Sequence, residues 1–447
     1  MKPTAPRACK APERLRVCML IPEDISQSGG TLKHHALQLA ACLKQLGDDV
    51  KVLALGSGEL DDPDVCALSG GFDVGARWFG RPLGLLVSPL KIWRYFRDNR
   101  FDVVHVHEPL TPPLATWSTY LAPRLPRLCT FHAQAGDGPR YLEAAQRLLA
   151  AVQLPLFDRA IAVSKPAARH AVRLWKRPLR VIPSGVRTDV FRPEPSACEP
   201  DGPLRLLFVG RPSDERKGFP VLLEAYQRLL DLGVEVTLDV VGELGDGPPP
   251  PRLRGITYHG VLRLGGLLEQ YQRANIVVAP STGHEVFGSV LLEAMACGKP
   301  IVCSTAEANR ELVQSHGAVL VEPRNAPVLA HAITLLGRAP MRRQRMGRSN
   351  RRAALAFDWQ ALAPQIRDEY VAAIEDRQFD RCRAHGLPVA VAVGKPGRSP
   401  APPPPSERGS QRGAAAVGSA AWTDRGRPSS NPQPTDSKRC AAAAARA

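Results

Sequence analysis

The chain has 447 residues, 44% hydrophobic and 23% charged, with a net charge of +16, which is room for two domains of ordinary size and a tail. No apolar run approaches the roughly 20 residues of a membrane-spanning helix, and the opening MKPTAPRACKAPERL lacks the apolar stretch of a secretory signal. The ten cysteines are scattered without a C-x-x-C pair, and Cys18, Cys42, Cys129, Cys297 and Cys303 sit in apolar runs; reduced, buried thiols in a cytoplasmic enzyme fit this better than disulfides or a zinc site.

Apolar strand-like runs then alternate with amphipathic helices, the pattern of parallel sheets covered by helices. Leu15–Ile21 reads as a buried strand, Gly29-Gly30 as a turn, Thr31–Leu46 as a helix ended by Gly47, and Val50–Leu55 as the next strand. Pro89–Arg100 reads as a basic, aromatic helix. Strands follow at Val103–His107, Leu128–His132, Ala160–Ser164 and Arg180–Pro183, with helices at Arg140–Gln153 and Pro166–Trp175. At Phe191–Pro203 proline and acidic residues replace the apolar runs, which marks a linker. A second series has strands at Leu204–Val209, Val236–Val241, Ile276–Ala279, Ile301–Ser304 and Ala318–Glu322, with a helix at Phe219–Leu230 and a closing helix near Trp359–Glu375. The expected division is therefore residues 1–190, a linker at 191–203, a second domain at 204–376 and a tail at 377–447. From Ala384 onward nine Lys/Arg stand against three Asp/Glu, so +6 of the charge belongs there. That stretch is rich in Pro, Ala, Gly and Ser without apolar periodicity, and disorder is expected.

In such sheets ligands gather at the carboxyl ends of the strands, so chemistry belongs in loops that directly follow strands. Gly29 and Gly30 could turn backbone N–H groups toward an anion at a helix start; a plain tight turn explains them equally well. GRPSDERKG (Gly210–Gly218) carries Arg211 and Lys217, two cations able to neutralise a diphosphate; with Asp214 and Glu215 between them, a solvated charged loop is the competing account. GHEVFGSVLLEAMACGKPIV (Gly283–Val302) is the most specific motif. Glu285 lies in a loop after a strand, and Glu293 stands among Leu291, Leu292, Ala294 and Met295, where a carboxylate needs a strong partner such as sugar or ribose hydroxyls. His132, ending TFHAQ, could contact a sugar, although a lone histidine is more often structural.

Taken together, the segments SGGTLKHHALQLA, FDVVHVHEPLTP, TFHAQ, AIAVS, VIPSGV, LLFVGRPSDERKG and EVFGSVLLEAMACGKPIV resemble those of retaining glycosyltransferase family 4. Within it they are most similar to bacterial phosphatidylinositol alpha-mannosyltransferases. The resemblance runs from about Leu15 to Glu375. It implies the α/β GT-B fold, two facing Rossmann-like domains with a C-terminal helix, and a sugar nucleotide, GDP-mannose or a UDP-sugar, as donor. By that resemblance Arg211 and Lys217 clamp the donor diphosphate, Gly30 approaches it from the opposite domain, Glu285 holds hydroxyls of the transferred sugar and Glu293 holds the ribose. Backbone amides from Phe287 through Gly288 and Ser289 to Val290 meet phosphate and sugar, and His132 orients sugar and acceptor. The departing diphosphate can accept the acceptor's proton, so the enzyme supplies orientation and charge stabilisation. No metal cluster of His, Asp and Cys is visible, and the two cations can replace a metal; no cofactor is expected.

The Pro89–Arg100 helix bears on the acceptor. Lys91, Arg94 and Arg97 share one face beside Trp93 and other aromatics, an arrangement that can lie on an anionic membrane surface or simply pack its rings inward. Lipid-using relatives favour the membrane, and with it a phosphatidylinositol-like acceptor at the inner face of the plasma membrane. Three other readings compete: transfer to a soluble or cell-envelope glycan, sugar-nucleotide epimerisation, and nucleic-acid binding suggested by charge alone. Carboxylates at the expected site, and the lack of a longer basic stripe interleaved with stacking aromatics, argue against nucleic acid.

Overall fold

Leucine- and valine-rich runs that are buried on both faces make parallel strands here, as the near-continuous apolar sequence requires. The computed structural model describes residues 11–25, 31–56, 62–68, 77–78, 81–82, 87–122, 124–132, 140–194, 202–245, 253–283, 288–313 and 317–384. The first half runs β1 (Arg16–Asp24), α1 (Thr31–Gln45), β2 (Asp49–Leu55), β3 (Val65–Leu68), β4 (Arg77–Trp78), β5 (Arg81–Pro82), α2 (Pro89–Asp98) and β6 (Val103–His107). It continues with α3 (Leu114–Leu121), β7 (Arg127–Phe131), α4 (Arg140–Gln153), β8 (Arg159–Ala162), α5 (Lys165–Leu174) and β9 (Arg180–Val181). Seven of these strands form one parallel sheet in the order β3-β2-β1-β6-β7-β8-β9, while β4 and β5 pair as a separate antiparallel ribbon.

The second half runs β10 (Leu204–Val209), α6 (Phe219–Asp231), β11 (Val236–Val241), β12 (Ile256–Gly260), α7 (Leu264–Arg273), β13 (Ile276–Ala279) and α8 (Ser289–Ala296). β14 (Ile301–Ser304), α9 (Glu307–Leu312), β15 (Ala318–Val321), α10 (Ala326–Gly337), α11 (Pro340–Ala354) and α12 (Trp359–Ala384) complete it. Its parallel sheet has the order β12-β11-β10-β13-β14-β15. The two halves are thus Rossmann-like, each with a reversal of strand order beside its opening strand: β1 lies between β2 and β6, and β10 between β11 and β13. Those reversals open a crevice at the carboxyl ends of the strands, and every loop singled out from the sequence follows one of the strands near them. Cys18, Cys42, Cys129, Cys297 and Cys303 are buried free thiols inside the layers.

The closing helix ends differently from its expected place. Trp359, Leu362, Ala363, Ile366, Tyr370 and Ile374 of α12 join the core of the first sheet, with Leu15, Met19, Leu39 and Val103. Ion pairs fasten it there: Arg367 to the buried Asp48 at 2.9 Å, Glu369 to Arg180 at 3.0 Å, and Arg377 to Asp158 at 2.8 Å. A segment counted with residues 204–376 therefore completes the first sheet's layer, and helix order continues past residue 376, where the tail was expected to begin. Residues 385–447, the rest of that expected tail, lie outside the described residues. Among the described residues, no helix is long and apolar enough to cross a membrane.

Candidate active site

The loop after β10 is built to bring cations to the crevice. Gly210 (φ 155°) leaves the strand, and Glu215–Lys217 form one 3₁₀ turn capped by the Asp214 carboxylate, which accepts the Arg216 N–H. Gly218 (φ 70°) then opens α6. A side chain at Gly218 would collide with the Pro280 carbonyl, so close approach to the β13 loop demands glycine twice over, by space and by its left-handed backbone. Asp214 pairs with Arg216 at 2.7 Å, and the carboxylate that meets Arg211 is Glu243, on the loop after β11. Lys217 lines a pocket with Ser281, Gly288, Ser289, Val290 and Asn309. One wall of it is the start of α8, whose N-cap Gly288 offers no side-chain acceptor. Its first backbone N–H groups have no partner within the helix and carry the positive end of the helix dipole. A lysine and a helix start around one hollow, with Arg211 on the lysine's own loop, suit a charged anion.

Glu293 lies about one turn into α8 and is buried. Its Oε2 accepts a hydrogen bond of 2.8 Å from Tyr271 Oη on α7. Burial pushes the carboxyl up to about 7, against the pull of that hydrogen bond. One oxygen of the group faces Tyr271, and the remaining acceptor capacity suits vicinal hydroxyls. Because the folded value exceeds the unfolded one near 4.5, this group supports the empty protein most below about pH 4.5. That support is lost as pH rises through about 7, a change on the order of 3 kcal/mol. Glu293→Gln is therefore expected to make the empty protein more stable than the wild type at pH 8 and to flatten its stability between pH 5 and 8, as urea unfolding would show; a wild-type pH profile in the variant would mean that another group carries the dependence.

In the first half, His132 directly follows β7, one residue past the strand's end, and its backbone N–H donates to Glu108 Oε1 at 2.6 Å. It is not a lone histidine. Its Nε2 lies 2.9 Å from His107 Nδ1 at the end of β6, and His35 of α1 packs edge-on to it with ring centroids 4.6 Å apart. His105 lies beside His107, 4.2 Å between centroids. Burial pushes His35 down to about 3 and both His105 and His107 well below the usual histidine range, so these imidazoles are neutral at neutral pH. Glu108 holds φ at 53°, a left-handed conformation uncommon outside glycine and found preferentially where a site fixes its side chain.

Comparison with known proteins settles the family. The Glycosyltransferase Family 4 profile matches residues 32–190 and the Glycosyl transferases group 1 profile residues 203–338. The phosphatidyl-myo-inositol mannosyltransferase of Mycobacterium leprae is 31% identical over 80% of this chain and 96% of its own length. The chain belongs to glycosyltransferase family 4. A D-inositol 3-phosphate glycosyltransferase of Thermobispora bispora is 28% identical over 66% of this chain and 76% of that protein. Anabaena HepE, solved with UDP-glucose, shares the fold at a TM-score of 0.63 and 17% identity, over 80% of this chain and all of that one.

On this glycosyltransferase, Lys217, Gly288, Ser289 and Val290 come together around the pocket at the ends of β10 and β13, with Arg211 on the same loop as Lys217 and Glu293 further along the α8 helix that walls it. Gly29, Gly30, Glu285 and Phe287 lie outside the described residues. The basic helix α2 divides its side chains: Ile92 is buried, Tyr95 and Phe96 pack on the first core, and Lys91, Trp93, Arg94 and Arg97 are exposed beside Leu90. Arg97 spreads over the Trp93 ring, 5.0 Å from its centroid, and pairs with Asp98. Tyr95 and Phe96 thus face inward, and a basic face that includes Trp93 points outward. Tyr271, Glu243, His35 and His107 are the residues that sequence reasoning missed. HVH before Glu108 carried a signal, two histidines on one face of a strand end; Tyr271 and Glu243 carried none.

Proposed function

We propose that this enzyme transfers a hexose, mannose from GDP-mannose, to a phosphatidylinositol-type lipid with retention of configuration, working at the cytoplasmic face of the membrane. The observation that supports the reading is the meeting of Lys217 and the start of α8 around one pocket at the strand-order reversal of the second sheet, with Arg211 on the Lys217 loop and Glu293 further along α8. Arg211 and Lys217 take the diphosphate, the amides of Gly288 to Val290 share its charge, and Glu293 holds the ribose; Glu285 is assigned the hydroxyls of the sugar and Gly29-Gly30 the approach from the first domain. Charge then builds on the departing diphosphate where cations already stand, and that oxygen takes the acceptor's proton without a protein base. His132 orients the sugar near the anomeric carbon. The first domain, residues 1–190, would carry the acceptor and the second, from 204, the donor. The 31% identity to mannosyltransferases and the exposed face of α2 support the lipid.

The purified protein is to be incubated with labelled GDP- and UDP-sugars and mixed vesicles containing phosphatidylinositol. Release of GDP with label in the lipid phase is expected. Free nucleoside diphosphate distinguishes transfer from epimerisation, which leaves the donor diphosphate joined to its sugar. Replacing Lys91, Arg94 and Arg97 with alanine is expected to weaken binding to anionic vesicles about tenfold to a hundredfold at low salt, at about 1 kcal/mol per basic residue less the share Arg97 gives to Asp98, while nucleotide binding in solution stays unchanged. Vesicle binding equal to wild type would turn the reading to a soluble acceptor and a UDP-sugar, the alternative that likeness to the D-inositol 3-phosphate glycosyltransferase favours.

A further inference from the structure

His35, His107 and His132 come from three elements of the first half, and one ring nitrogen of each lies within 4.8 Å of the other two. All three side chains are buried, with 4, 0 and 8% of their surface exposed. Buried imidazoles ordinarily spend both nitrogens on hydrogen bonds. Here His35 Nδ1 meets Ser184 Oγ at 2.7 Å, yet its Nε2 has no partner among the described residues, and the same is true of His107 Nε2. Two stranded polar atoms in one cluster are a cost of folding that a ligand can remove. The neighbouring His105 differs. Its two nitrogens are satisfied by Tyr370 Oη and Thr130 Oγ1, each at 2.7 Å, so it walls the cluster without belonging to it.

We propose that His35, His107 and His132 bind one divalent transition-metal ion of the zinc class. Three imidazoles with no thiolate suit zinc, cobalt, nickel or copper and not magnesium or calcium, which take oxygen ligands. The Ser184 contact is the kind of outer hydrogen bond that fixes a ligating ring and leaves its other nitrogen for the metal. Glu108, buried and held on the His132 backbone, places negative charge beside the cation. Metal–nitrogen bonds of about 2.0–2.1 Å put ligand nitrogens roughly 3.3 Å apart in a tetrahedron, so the rings close by about an ångström or so on binding. The fourth position stays open. The ion clamps α1 to the ends of β6 and β7 and takes the His132 ring away from the sugar, so it opposes transfer. The site itself does not depend on the donor assignment; only this inhibitory consequence rests on the role proposed for His132.

The test uses untagged, chelator-dialysed full chain and Co²⁺ as the probe. One equivalent is expected to bind with the visible absorption of a low-coordinate nitrogen site and without thiolate charge-transfer bands, to be displaced one for one by Zn²⁺, and to raise the melting temperature. His35→Ala and His107→Ala are each expected to weaken binding about a hundredfold, while His259→Ala, in the second half, leaves it unchanged. Circular dichroism checks that the variants fold, and His35→Gln replaces His35→Ala if that variant does not. No saturable Co²⁺ binding in the wild type, a thiolate band, or affinity undiminished in the His35 and His107 variants would each overturn the site, whatever the donor assays return.

Discussion

Lys217→Ala lowers turnover by about a hundredfold, and Arg211→Ala does the same, while both proteins stay folded. On the proposed assignment each removes one cation from the place where leaving-group charge develops, and a single stabilising contact of that kind is worth on the order of 3 kcal/mol. The two differ in what they must give up to reach the diphosphate. Lys217 already lines the pocket. Arg211 is held by Glu243, and both side chains of that pair are about half exposed, so the pair is worth less than about 1 kcal/mol and exchanges readily for phosphate. Glu243→Gln is accordingly expected to lower the donor KM severalfold with kcat unchanged. Lys217→Arg keeps the charge and recovers part of the rate. Steady-state rates at saturating donor, with calorimetric binding of the nucleoside diphosphate, separate the two effects. Wild-type kcat in both alanine variants would place the diphosphate elsewhere.

Periodicity made both sheets legible because their strands are buried on two faces, so LRVCMLI and LRLLFV stand out as unbroken apolar runs. The loop after β10 was legible for a related reason: Gly218 is where the backbone must approach the Pro280 carbonyl closely, and the charged residues beside it stood out in the sequence. What stayed hidden depends on contacts made across the fold. Glu293 was recognised as a carboxylate in need of a partner, yet Tyr271, 22 positions earlier, stands in an ordinary helix. The three clustered histidines are spread over nearly a hundred positions, and only the order β1-β6-β7 brings His107 and His132 side by side. The closing helix misled by chain order, since sequence adjacency joined it to the second half while its apolar face matches the first. Trp359 is where that conflict is resolved, and it carries the other large effect.

Trp359→Ala lowers the stability of the first sheet's unit by about 3–5 kcal/mol, the range for deleting a large buried aromatic side chain. The indole is 1% exposed and fills space that the chain has cleared for it. Gly185 lies against the ring so closely that any Cβ there would collide with it. The indole N–H donates to Gln38 Oε1 at 2.7 Å, and the ring meets His35 edge-on, 4.9 Å between centroids. One side chain thus joins the start of α12, the segment after β9 and the side of α1 that carries His35 and Gln38. Its loss leaves a cavity between elements that do not touch in sequence, and the rigid backbone around Val186, bonded to Trp359 N–H at 3.3 Å, limits collapse into it. Trp359→Phe keeps most of the volume and loses the hydrogen bond, so roughly half of the effect is expected. Urea unfolding followed by far-ultraviolet circular dichroism measures both. Apart from Val186, the second sheet's core draws on none of these residues, so nucleoside diphosphate binding is expected to survive where transfer fails. A stability within about 0.5 kcal/mol of wild type in Trp359→Ala would mean that α12 is held by its ion pairs and its other apolar side chains, and that the indole contributes little to its docking.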